Sequence, residues 1–182
     1  MRIHERIAEG IRIIGNKINP LETIMPIGLD GAVLCHLLNH YYEKSAFHYP
    51  DQLENIVCAS SKAGESDMQK FEGVLPAKGT VYGLDLRTKT GALGNNLKQM
   101  VKGWETKTQN KADFWYTVLF DPVMCADLRA FSEQLSDEDR IVWLPEEDFE
   151  KVFQQEGGIW RYNISHEFLA HIPDVQEIKD LL

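Results

Sequence analysis

Most features that would assign this chain at a glance are missing from it. Its 182 residues include three cysteines, Cys35, Cys58 and Cys125, with no CxxC pair among them. That spacing excludes a zinc ribbon and a disulfide framework. No run approaches the roughly 20 apolar residues that a membrane-spanning helix requires. The first six residues, Met1-Arg2-Ile3-His4-Glu5-Arg6, put charges where a secretory signal would have its apolar centre. Neither GxxxxGK[ST] nor GxGxxG occurs, and Gly28-Leu-Asp-Gly31 and Gly91-Ala-Leu-Gly94 lack the pattern of a nucleotide loop. The Ser, His and Asp residues come with no nucleophile elbow. Internal repeats, low-complexity tracts and Pro/Gly/Ser-rich linkers are likewise missing. What remains is a globular protein with reduced thiols, expected in the cytoplasm, and its composition of 43% hydrophobic and 26% charged residues fits that class.

Hydrophobic periodicity predicts a mixed α/β fold in a single layered domain over residues 1–182, with a mixed central sheet flanked by helices. Ile3, Ile7, Ile11, Ile14 and Ile18 recur at helical spacing, so about the first fifteen residues read as an amphipathic helix. Pro20 to Gly28 breaks it. Asp30 then caps a second helix with Ala32, Val33, Leu37, Leu38 and Tyr41 on its apolar face. These two helices make an N-terminal helical part, residues 1–48, ahead of a sheet-containing core at 53–164 and a helical tail at 165–182. Within the core, Ile56–Ala59 and Ile141–Leu144 read as short strands. Residues 80–88 form the clearest alternating strand, with Tyr82, Leu84 and Leu86 on one side and Gly83, Asp85 and Arg87 on the other. A helix opens at Gly91 with Leu93, Leu97, Met100, Val101 and Trp104 inward. Phe114–Phe120 is apolar on both faces, as a covered central strand would be. Asp121-Pro122 is expected to start another helix with Met124, Leu128, Phe131 and Leu135 inward. Pro145-Glu146-Glu147 suits the first turn of a further helix, and Ile159–Ile164 reads as the last strand.

The net charge of −9 looks unfavourable for a nucleic-acid binder, but it is unevenly distributed. Residues 1–86 carry −3, residues 87–112 carry +5, and residues 113–182 carry −11. The basic segment consists of one strand end and the helix after it. Lys98 and Lys102 lie four apart there, and with Lys107 they form a candidate nucleic-acid-binding face.

The most suggestive segment is Val81-Tyr-Gly-Leu-Asp-Leu-Arg-Thr-Lys-Thr-Gly91, followed by the basic helix and the apolar strand. Asp85 and Arg87, two apart on a strand, project from one face. There an acid can hold a divalent metal while a cation stabilises charge on a phosphate. This arrangement resembles the restriction-endonuclease-like superfamily with its PD-(D/E)xK motif, over about residues 30–120. The resemblance implies a divergent Mg²⁺-dependent endonuclease that hydrolyses DNA phosphodiesters. Under it Asp85 is the second acid, and Asp67 or Glu65 supplies the first metal ligand. Arg87 or Lys89 takes the place of the catalytic lysine, and Glu43 on the second helix supports the metal. The chain departs from the pattern in having no Pro-Asp before the strand, Asp in place of Glu, and an arginine that cannot lose a proton.

Two other readings compete. His36 and His40, four apart on a helix with Glu43 and His48 beyond, have the spacing to share a metal, but no Glu lies between them to act as a base. They are read as packing residues. The acidic residues of 133–156, including Glu146, Glu147 and Asp148, could instead be the working surface of a non-enzymatic interaction module, such as an immunity protein, antitoxin or phage-encoded inhibitor, facing a basic protein partner. The oligomeric state is not fixed by the sequence, and a dimer is compatible with it.

Overall fold

The isoleucine stripe forms as the spacing requires. In the computed structural model, which describes residues 1–44, 78–109, 111–139, 153–156, 159–162 and 172–182, Ile7, Ile11 and Ile14 are fully buried on α1 (Ile3–Gly15). At the helix start, the Arg2 backbone N–H donates to Glu5 Oε2 at 2.8 Å, which satisfies an amide that the first turn leaves open. The other described elements are β1 (Thr23–Pro26), α2 (Gly28–Lys44), β2 (Lys78–Arg87), α3 (Ala92–Thr108), β3 (Lys111–Phe120), β4 (Leu128–Phe131), a short 3₁₀ turn (Asp137–Asp139), β5 (Phe153–Glu156), β6 (Ile159–Tyr162) and α4 (Pro173–Leu181).

The strands β1-β2-β3-β4 pair in that order, and every pairing is parallel. The α/β layering is as the sequence predicts. Among the described residues antiparallel pairing is confined to β5–β6, a separate two-stranded sheet, and the four described strands of the main sheet are parallel rather than mixed. Alternation along β2 divides the core in two. Tyr82, Leu84 and Leu86 join α1, α2 and α4 on one face, while Val81 joins Leu97, Met100 and Val101 of α3 on the other. The helix α2 is buried continuously from Gly31 to Leu38 because it contacts β1, β2, α1 and α4. The helix α3 buries only one stripe and leaves its lysine side to solvent.

Three predicted features change. The Pro20–Gly28 break contains β1, a strand so short and so covered that it shows no alternation. Asp30 lies within the first turn of α2, which begins at Gly28, and is not the cap residue. The expected helix from Asp121 to Leu135 is a seven-residue return loop followed by β4. Asp121 is fully buried and holds that loop: its Oδ1 accepts from Val123 N–H at 3.1 Å and its Oδ2 from Ala126 N–H at 2.7 Å. Those bonds close a turn where a helix would have continued. Met124, expected inward, is 57% exposed. Leu128 and Phe131 do reach the core, but from a strand, and Phe131 stacks on Phe120 with ring centroids 5.1 Å apart. The strand β6 agrees with the expected last strand, and β5 is a partner that the sequence does not announce. The expected strands at 56–59 and 141–144 and the helix start at Pro145 lie outside the described residues.

One glycine sets how closely α2 approaches the sheet. A Cβ on Gly31 would lie 2.4 Å from the Leu84 carbonyl oxygen, a backbone atom that cannot move aside. Gly31→Ala is expected to destabilise the protein by about 1–3 kcal/mol, measured by urea denaturation.

Candidate functional site

Because β1, β2 and β3 are parallel, the segments that follow them all emerge at one edge of the sheet. The helices after β1 and β2 depart to opposite faces, and in open parallel sheets ligands bind outside the carboxyl ends of the strands at such a divergence. Ile27 N–H donates to the Leu84 carbonyl at 2.9 Å, which ties the start of α2 to the end of β2. Asp30, on the first turn of α2, is thereby brought beside Asp85.

Asp85 is closely surrounded yet keeps some solvent contact. Its Oδ1 accepts from the Leu86 N–H at 2.8 Å and its Oδ2 from the Tyr116 hydroxyl at 3.4 Å. Desolvation, and then the charge of Asp30, push its carboxyl up to about 7, against a smaller downward pull from these hydrogen bonds. Asp30 is also raised by burial, while the Arg87 guanidinium pulls it down. Among the described residues neither carboxylate forms a salt bridge. Arg87 therefore acts on Asp30 without closing an ion pair with it among the described residues.

The other predicted site residues are distributed as follows. Arg87 ends β2, two residues beyond Asp85, and is half-buried; Lys89 is exposed in the turn that follows. Lys98 on α3 is committed: its Nζ lies 2.5 Å from Asp127 Oδ1. Lys102 is exposed on the same helix, and Lys107 lies near that helix's end. Glu43 is at the far end of α2, about 20 Å along the axis from Asp30 at 1.5 Å per residue, and accepts from Asn39 Nδ2 at 3.0 Å. It cannot support a metal at Asp85. Asp67, Glu65 and His48 lie outside the described residues.

No group of three or more His, Cys, Asp or Glu side chains suited to a metal occurs among the described residues. His36 is buried in the core on α2. His40 is held below the usual histidine range by burial, with Lys179 and Lys44 adding to the effect. Burial and the neighbouring Asp121 push the Cys125 thiol up. No helix among the described residues is long and apolar enough to cross a membrane. Compared with known proteins, the chain matches no family model, no curated protein and no solved structure.

Sequence reasoning missed Asp30 as a partner of Asp85. The available signal was the Gly-x-x-Gly bracket, Gly28-Leu-Asp-Gly31, directly after a proline-ended apolar run. Tyr116 was also missed, because it is hidden in an apolar strand.

The raised Asp85 gives a stability prediction with a definite sign. Between about pH 4 and 7 the folded state binds the Asp85 proton more tightly than the unfolded chain does, so stability falls as pH rises through that window. Asp85→Asn removes the cost of the buried charge. Thermal melts should show the variant gaining on the wild type from pH 4 to 7 and levelling at about 2–4 °C above it by pH 8.

Proposed function

We propose that the chain is a metal-dependent phosphodiester hydrolase acting on nucleic acid, a divergent nuclease with Asp85 and Asp30 as its metal-binding carboxylates. The observation that supports this reading is the pair of partly desolvated carboxylates at the carboxyl edge of a parallel sheet, two hard oxygen donors whose mutual repulsion a divalent cation would relieve. Two carboxylates suit Mg²⁺ or Mn²⁺, since such ions keep several waters and take further ligands from substrate phosphate. The cation, once bound, supplies Lewis-acid polarisation of the phosphate and a water of lowered pKa. Arg87, at the end of the same strand, is placed to hold the non-bridging oxygens and take up charge as the ester bond breaks. Lys89 and Lys102, both exposed, are available to neighbouring phosphates of the strand.

This departs from the sequence expectation in one respect. The partner of Asp85 is assigned to Asp30 from α2, and the roles first given to Asp67 and Glu65 are not needed to form the pair. We place the protein in the cytoplasm, a setting in keeping with the free thiol of Cys125. The rival interaction reading has less support: Glu133 and Asp139 of its acidic stretch are already paired with Arg6, while Glu146, Glu147 and Asp148 lie outside the described residues.

Purified protein should cleave plasmid DNA, single-stranded DNA or RNA in the presence of Mg²⁺ or Mn²⁺ and be silenced by chelator. Asp85→Asn and Asp30→Asn should each lower the rate by roughly 100-fold or more. Activity should climb with pH up to about 7 and then flatten, because Asp85 holds a cation only when deprotonated. No cleavage of any of the three substrates with either metal would exclude the reading.

A further inference from the structure

We propose that Tyr116 is the positioning residue of this site, its hydroxyl fixing the Asp85 carboxyl beside Asp30. The assignment rests on the metal-dependent reading above and identifies what makes the carboxylate pair rigid.

Tyr116 is held at its backbone, its ring and its hydroxyl. Along the backbone, its N–H donates to Asp127 Oδ2 at 2.7 Å and its carbonyl accepts from Asp127 N–H at 2.8 Å. Asp127 is itself anchored by Lys98 of α3 through its other carboxylate oxygen. The ring lies directly beneath α3: a Cβ on Gly94 would come within 2.1 Å of a ring carbon, so the helix rests on the aromatic face with no room between. The side chain is 1% exposed and belongs to the apolar cluster on the α3 face of the sheet. A hydroxyl in such surroundings is costly unless it is bonded.

The bonding has a direction. An ionised Asp85 can only accept, so the tyrosine hydroxyl is the donor across the 3.4 Å contact. With Oδ1 held by the Leu86 N–H, both Asp85 oxygens are oriented and each retains lone pairs for a cation. Groups that orient ligands in this way set metal affinity without touching the metal. The network runs from Lys98 on the basic helix, through Asp127 and Tyr116, to Asp85.

The test is Mn²⁺ binding to the full chain, followed by electron paramagnetic resonance, with thermal melting as a control for folding. Tyr116→Phe keeps the ring and loses only the hydroxyl. It should melt within a few degrees of the wild type yet bind Mn²⁺ about fivefold more weakly, while Asp85→Asn abolishes the binding. Wild-type affinity in Tyr116→Phe overturns the positioning role and leaves the metal reading standing. A wild-type protein that binds no Mn²⁺, or whose binding survives Asp85→Asn, overturns the metal reading and the positioning role with it. Should Tyr116→Phe fail to fold, Asp127→Asn takes its place: about threefold weaker binding supports the network, and unchanged binding overturns it.

Discussion

Parallel strand pairing is the constraint on which the rest of this structure depends. It forces the chain to leave β1, β2 and β3 at the same edge, so three segments distant in sequence must share one small region. The close approach of α2 to Leu84, allowed by Gly31, then draws the first turn of that helix over the end of β2. Asp30 and Asp85 are 55 positions apart and meet because the sheet geometry leaves them no alternative. Were β1 antiparallel to β2, the start of α2 would leave at the opposite end of β2 from Asp85.

That edge is also where the fold tolerates electrostatic cost. Several charges of the described chain have close partners: Arg2 with Glu177 at 2.7 Å, His4 with Asp174 at 2.8 Å, and Arg6 with Glu133 and Asp139. Asp121 is fully buried, but two backbone amides satisfy it. Asp30 and Asp85 instead sit together in a partly desolvated position, with the Arg87 guanidinium acting on Asp30. Burying like charges side by side works against folding. Their placement makes sense if it is the binding of a third, positive species that relieves it.

How much of this was legible follows from which patterns are local. The stripe on α1 and the alternation of β2 are repeats within one element, and both were read correctly, including the face on which Asp85 and Arg87 lie. The expected helix at 121–135 failed for a nameable reason. Positions 124, 128, 131 and 135 have helical spacing, but the Asp121 carboxylate captures the amides of Val123 and Ala126 and turns the chain back on itself. Thereafter Leu128 and Phe131 are buried by strand pairing to β3, which no periodicity records. The site was half legible. Asp85 stood out on its strand, whereas Asp30 and Tyr116 acquire their meaning only through contacts across long sequence separations.

The lysines of α3 show why charge counted along a chain differs from charge offered at a surface. Residues 87–112 sum to +5, and Lys98 and Lys102 at helical spacing look like one phosphate-facing patch. Yet Lys98 is spent on Asp127, a residue of the acidic section 113–182, because the return loop carries Asp127 back against β3 and under α3. The pairing neutralises part of the basic face, and it converts a surface charge into a brace for Tyr116. A polyanion approaching α3 would therefore meet less positive charge than the sequence suggests. Of the other cations in this segment, Lys89 and Lys102 are exposed and Arg87 is half-buried. Under the proposed hydrolase reading, phosphate contacts would therefore fall to a few separate side chains rather than to an extended basic track.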